Sequence, residues 1–117
     1  MKTAEHREYI RRQLLEGSTR LFSLDNQSRL AKAVHCFFPA LQHAFLLYWL
    51  PEQAEDIYWL AVSRTEIAKI EVVRNQESEE TAASVEIVSV ETYRRKRLSR
   101  QVRERLAVAL DLIEQLE

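Results

Sequence analysis

Two short apolar runs in the middle of the chain constrain its fold more than any other feature. Residues 41–50 and 57–64 are rich in aromatic and aliphatic side chains, and the polar stretch PEQAED separates them. Runs of this kind around a polar connection are typical of an antiparallel β-hairpin. Each run also contains the tripeptide Tyr-Trp-Leu. A hairpin with Leu50 opposite Ile57, the residues on either side of the polar connection, predicts two further cross-strand pairs, Trp49 with Tyr58 and Tyr48 with Trp59.

The rest of the chain supplies helices and two further strands. Apolar spacing predicts helices over 4–16, where Gly17 would end the helix, over 27–37, and over 98–116. A strand is predicted over 85–92. Residues 67–74 are ambiguous, because Ser63 and Glu66 fit a helix capping box whereas the β-branched residues after them favour a strand. We prefer the strand, since it gives the hairpin a partner. Residues 75–84 form an acidic connection.

This order of elements predicts an α+β fold. We expect one domain over residues 1–117, with two N-terminal helices, a four-stranded antiparallel meander and a long C-terminal helix. Alternation along the hairpin makes both faces of the sheet apolar. One face would carry Phe45, Leu47, Trp49, Tyr58, Leu60 and Val62. The other would carry Ala44, Leu46, Tyr48, Leu50, Ile57, Trp59 and Ala61. Either the helices divide between the two faces, or another chain or an apolar ligand covers one of them, with Tyr48 and Trp59 as the candidate surface.

The C-terminal helix has a spacing that is typical of helix pairing. Its apolar residues follow a 4-3-4-3 spacing at Val102, Leu106, Ala109, Ile113 and Leu116. Further apolar residues lie off this seam, so the helix has more apolar surface than packing on one sheet requires. We therefore expect a homodimer that forms through this helix or through the second sheet face.

Positive charge is concentrated in one stretch, YRRKRLSRQVRER at 93–105, although the net charge of the chain is −1. The candidate binding residues there are Arg94, Arg95, Lys96, Arg97, Arg100 and Arg103. One interpretation pairs them within the protein, against Glu77, Glu79, Glu80, Glu86 and Glu91. The other makes them an anion site at a helix N-terminus, for an acidic partner protein or for nucleic-acid phosphates. The near-neutral net charge and the scarcity of aromatic residues in the stretch make nucleic acid the second choice.

Several chemistries are improbable on composition alone. The chain has one glycine, so it contains neither a glycine-rich phosphate-binding loop nor a G-x-S-x-G nucleophile elbow, since each motif needs at least two glycines. Its histidines and its one cysteine, Cys36, have no metal-ligand spacing, and we expect no cofactor. The longest apolar run, residues 44–50, is too short to span a membrane as a helix. The sequence thus favours a cytoplasmic, non-enzymatic regulator or adaptor that binds protein, while an enzyme or small-ligand binder with a pocket beside Tyr48 and Trp59 is a weaker alternative.

Overall fold

The computed structural model describes residues 2–74 and 83–117. Its elements are α1 (Lys2–Leu21), α2 (Arg29–Phe37), β1 (Phe45–Pro51), β2 (Glu55–Ala61), β3 (Glu66–Val73), β4 (Ala83–Ser89), α3 (Val90–Arg94) and α4 (Arg100–Leu116). The strands form one antiparallel sheet in the order β1-β2-β3-β4. The predicted α+β class, the meander and the helices at both ends of the chain are confirmed. Most of the predicted acidic connection, residues 75–82, lies outside the described residues.

The predicted hairpin register is confirmed at the loop end. Leu50 pairs with Ile57, Trp49 with Tyr58, and Tyr48 with Trp59. The register then shifts between Leu46 and Tyr48, where a β-bulge leaves Leu47 as an extra residue in β1.

The bulge corrects the predicted faces of β1. Because one extra residue reverses the alternation, Phe45 and Leu47 lie on the face of Trp59 and Ala61, and not on the face of Tyr58. For the same reason Ala44 and Leu46 lie with Tyr58 and Leu60 on the opposite face.

The helices divide between the two faces of the sheet, which was one of the two expectations. The first core lies under α1, α3 and α4, and it includes Leu14, Phe45, Tyr93 and Ile113. The second core lies under α2, and it includes Val34, Leu60 and Ile70 together with Leu21 at the end of α1. Both faces of the sheet therefore pack on helices of the same chain.

Several element ends differ from the sequence prediction, those of α1, β4 and α4 among them. Helix α1 continues through Gly17 to Leu21, because Gly17 adopts no positive φ and a helix tolerates one glycine at about 1 kcal/mol. Strand β4 stops at Ser89, whose side chain accepts a hydrogen bond from the Thr92 amide and thereby caps α3. Helix α4 begins at Arg100, after its cap Ser99.

The ambiguous segment is strand β3, in agreement with the preferred prediction. Ser63 does accept a hydrogen bond from the Glu66 amide at 3.1 Å, as a capping box requires, but it does so in the turn between β2 and β3. The Ser63 amide donates to the Glu66 backbone carbonyl and not to its carboxylate, so only half of the capping box is formed. Pairing with β2 and β4 decides the conformation of the residues after it. In the parts of the chain that the structure describes, no helix is long and apolar enough to cross a membrane.

Candidate binding site at the junction of α3 and α4

The predicted basic residues lie around a tight connection between two helices. Arg94 ends α3, and residues 95–99 lead into α4. Within the connection the Lys96 amide donates to the Tyr93 carbonyl, and the Leu98 amide donates to the Lys96 carbonyl at 2.9 Å. Ser99 then accepts a hydrogen bond from the Val102 amide at 3.1 Å. This backbone network holds the basic side chains at the N-terminus of α4, where helix amides also attract anions.

Two of the six basic residues bind groups in α4 or in the loop that leads into it. Arg100 pairs with Glu104 at 3.2 Å, although its side chain is almost fully exposed. The Arg103 guanidinium donates two hydrogen bonds to the Leu98 carbonyl, at 3.2 and 3.1 Å. These two residues hold the first turn of α4 and its leading loop.

The other four basic residues have no carboxylate partner within the described part of the chain. Among residues 2–74 and 83–117, no carboxylate lies within 4.0 Å of the charged groups of Arg94, Arg95, Lys96 or Arg97. Glu86 and Glu91 are described, and they do not pair with the basic stretch. The other predicted partners, Glu77, Glu79 and Glu80, lie outside the described residues.

An open cavity adjoins these cations. It has a volume of about 320 Å³, and its lining combines the two predicted sites: Tyr48, Trp59, Tyr93, Lys96, Arg97, Leu98, Ser99 and Val102. Tyr48 and Trp59 come from the sheet, whereas the remaining six come from α3, α4 and their connection. The structure thus brings the aromatic pair and part of the basic stretch together.

Trp59 is already in contact with cations of its own chain. The Nζ atom of Lys96 lies 4.7 Å from the centroid of the indole, and that of Lys69 lies 5.3 Å from it. These are cation–π distances. The Tyr93 ring, tilted by 38°, packs on the same indole with its centroid 5.3 Å away.

Tyr93 supplies a polar group at the inner side of the cavity. The residue is only 2% exposed, and its hydroxyl makes no hydrogen bond with any residue in 2–74 or 83–117. Burial, with a smaller contribution from Tyr48, raises the pKa of Tyr93 to about 12. The hydroxyl therefore stays protonated near neutral pH and can donate a hydrogen bond.

The predicted self-association seam lies mostly inside the chain. Val102, Leu106, Ala109 and Ile113 belong to the first core, and none is more than 9% exposed. Leu116 is the exposed member, at 52%. The structure contains one chain, so the homodimer itself stays a prediction.

Sequence reasoning misses the roles of two residues in the basic stretch. Tyr93 stands out in the sequence only as the single aromatic residue there, and that isolated aromatic is the signal that could identify the inner end of the cavity. Arg105 belongs to the basic stretch by sequence, yet its guanidinium donates to the Leu46 carbonyl at 2.7 and 3.2 Å. Burial lowers the pKa of Arg105, and its role in the described structure is to support the fold.

Catalytic and metal-binding arrangements are not apparent at this site. Within the described part of the chain, no three His, Cys, Asp or Glu residues group together in a way that could hold a metal ion. The site offers aromatic surface, the hydroxyl of Tyr93 and cations, which suit binding of an anion or an acidic chain. No family model matches the sequence, and no curated protein or solved structure matches it.

Proposed function

We propose that this protein acts in the cytoplasm as a non-enzymatic regulator or adaptor that binds an acidic segment of another protein. The docking surface is formed by Arg94, Arg95, Lys96 and Arg97. The observation that carries the proposal is that these four adjacent cations are exposed and have no carboxylate partner in residues 2–74 and 83–117. Complementary charge at such a surface favours fast association and selects against basic partners.

The arrangement of the aromatic residues favours a protein partner over nucleic acid. Binding of single-stranded nucleic acid usually needs aromatic faces that are free to stack on bases beside the basic groove. Trp59 lies beside the cations, but Lys69, Lys96 and Tyr93 cover part of its ring, and one partly covered ring does not provide a row of faces for successive bases. The more exposed Trp49 stacks on Tyr58, which belongs to the opposite face of the sheet.

Self-association is a separate proposal. The apolar surface available for it includes Leu116 and three consecutive residues of the edge strand β1, Tyr48, Trp49 and Leu50, each at least 37% exposed. An exposed apolar run at a sheet edge is a common contact surface between protein copies. We therefore keep the homodimer as a proposal and place its contact outside the buried part of the α4 seam.

The docking proposal is tested with a charge-matched pair of variants. The site variant replaces Arg94, Arg95 and Arg97 by serine, and it leaves Lys96 in contact with Trp59. The control variant replaces Arg12, Arg20 and Lys32 by serine; these are exposed residues of α1 and α2 and carry the same total charge. Fluorescence anisotropy measures the affinity of each protein for a labelled poly-glutamate peptide and for a mixed single-stranded DNA oligonucleotide.

We expect the site variant to bind the peptide about threefold to hundredfold more weakly than the wild type, since each exposed ion pair contributes about 0.2–1 kcal/mol. The control variant should keep most of the affinity. An equal loss in both variants would contradict the proposal, because it would reflect net charge alone. Tighter binding of DNA than of peptide, lost only in the site variant and steeply dependent on salt, would favour the nucleic-acid alternative.

A further inference from the structure

The cavity and the docking surface have two residues in common. Lys96 and Arg97 belong to the four cations of the docking surface, and both also line the cavity. An acidic segment that binds those cations therefore passes the mouth of the cavity. The chemistry of the lining determines which part of such a segment could enter it.

The walls of the cavity are mostly apolar. Tyr48 and Trp59 form the side on the sheet, while Leu98 and Val102 form the side on α4. A carboxylate alone would gain little from these four side chains and would lose its hydration. An apolar or aromatic side chain would instead remove their exposed surface, and its own, from water.

The size of the cavity also favours a single side chain. Its volume of about 320 Å³ lies at the lower end of the range of about 300–1,000 Å³ that is usual for small-molecule and cofactor sites. Interface hot spots form where a large side chain fills such a cavity and is shielded from water by the contacts around it.

The polar groups of the cavity are placed to receive the backbone or the flanking acids of the bound segment. The hydroxyl of Tyr93 is without a hydrogen bond in the described residues, although the residue is only 2% exposed. Ser99, whose side chain caps α4 by accepting from the Val102 amide, also lines the cavity. The Tyr93 hydroxyl can donate a hydrogen bond, and the cations Lys96 and Arg97 in the same lining attract a carboxylate.

We propose that the cavity binds one apolar or aromatic side chain of the acidic partner segment, while carboxylates on either side of that residue bind Lys96, Arg97 and Arg94. This inference rests on the proposed function, and it names the anchor that the partner supplies. The partner motif is therefore an apolar residue flanked by acids. A run of acids alone would bind the cations but would leave the cavity unfilled.

The test compares two labelled peptides that differ at one position. One has six glutamates around a central phenylalanine, and the other has alanine at the centre. Their affinities are measured by fluorescence anisotropy for the wild type, for Tyr48→Ala and for Trp49→Ala. Tyr48 lines the cavity and is 40% exposed, so its truncation leaves the cores intact. Trp49 is the adjacent aromatic residue, is similarly exposed, and does not line the cavity, which makes it the matched control.

For the wild type we expect the phenylalanine peptide to bind at least about tenfold more tightly, a difference of about 1.4 kcal/mol. In Tyr48→Ala the advantage of phenylalanine should fall below about threefold, and in Trp49→Ala it should persist. Because Trp49 and Trp59 are the two tryptophans of the chain, a Trp49→Phe variant reports on Trp59 alone. Binding of the phenylalanine peptide should change the fluorescence emission of Trp59, and binding of the alanine peptide should change that emission less.

Two results would overturn the inference while leaving the proposed function standing. One is equal affinity of the two peptides for the wild type, with both weakened by loss of Arg94, Arg95 and Arg97. The other is a phenylalanine advantage that survives in Tyr48→Ala. Absence of binding by both peptides at low salt would instead contradict the proposed function and this inference together.

Discussion

At the scale of single residues, Tyr93 is the residue that joins the core to the candidate site. It is buried with Val90 and Val102 in the first core, and its ring packs on Trp59. Burial raises its pKa to about 12. A tyrosine in the unfolded chain ionises near pH 10. The difference between these pKa values links the stability of the fold to alkaline pH.

The direction of that link depends on which state holds the proton. Between pH 10 and 12 the unfolded chain loses the Tyr93 proton while the folded chain keeps it, so stability falls as the pH rises. Below pH 10 the contribution is fully present. At about 1.4 kcal/mol per pKa unit, we expect the wild type to lose about 2–3 kcal/mol more than Tyr93→Phe between pH 9 and pH 12.

Chemical unfolding of both proteins at several pH values measures this difference. Tyr9→Phe is the control, because Tyr9 is 55% exposed. It should lose stability in parallel with the wild type. If the Tyr93→Phe and wild-type curves also stay parallel up to pH 12, the Tyr93 hydroxyl is not held in its protonated form by the fold.

At the scale of elements, a side chain of helix α4 is hydrogen-bonded to β1 at its β-bulge. The shift lies between Leu46 and Tyr48, and the Arg105 guanidinium of α4 donates two hydrogen bonds to the Leu46 carbonyl there. The same guanidinium also donates to Gln13 of α1 at 3.4 Å. Arg105 thus connects α1, α4 and the edge strand at one point.

Replacement of Arg105 by methionine should destabilise the fold by about 1.5–3 kcal/mol. Methionine keeps most of the length of the side chain, but the part-buried Leu46 carbonyl loses two charged donors. The matched control is Arg100→Met on the same helix, where an exposed pair with Glu104 is lost and a change of about 0.5 kcal/mol or less is expected. Urea unfolding measures both. Equal losses for the two variants would show that the hydrogen bonds at the bulge contribute nothing specific.

The elements also show how far sequence reasoning can reach. The strand pairs near the hairpin loop are predictable because the polar stretch 51–56 marks the connection, and counting outward from Leu50 and Ile57 gives the observed pairs. The bulge has no such signal, since Leu46 and Leu47 are alike and the sequence does not show which of them is the extra residue. Helix α3 is hidden in the sequence because residues 85–92 continue to alternate, whereas the cap made by Ser89 ends the strand.

The candidate site is predictable in parts and not as a whole. The basic stretch is evident from composition, and the pair Tyr48 and Trp59 from the hairpin register. Their contact at one cavity depends on how α3 and α4 pack on β1 and β2, which are distant in sequence. Local sequence patterns carry no information on such packing. The sequence therefore predicts the basic stretch and the aromatic pair, but not that they line the same cavity.

At the scale of the whole molecule, the apolar stripe of α4 packs inside the chain. A 4-3-4-3 spacing shows that one stripe of a helix is buried, but the same spacing serves a partner helix or a helix and sheet of the same chain. Here α1 and the sheet cover Leu106, Ala109 and Ile113. Disruption of this stripe should therefore affect folding before it affects any association.

Ile113→Asp tests that conclusion. Ile113 is fully buried, so aspartate would create a cavity and an unpaired buried charge, and we expect a loss of about 4 kcal/mol or more. Because small domains have a total stability of about 5–15 kcal/mol, the variant should be partly or wholly unfolded by circular dichroism. Leu116→Asp is the control on the same helix, since Leu116 is 52% exposed, and it should keep the fold. Sedimentation of the wild type and of Leu116→Asp then reports on association separately from folding. An Ile113→Asp protein that folds with wild-type stability but sediments as a smaller species would place the seam between two chains, and would contradict the packing of α4 on its own core.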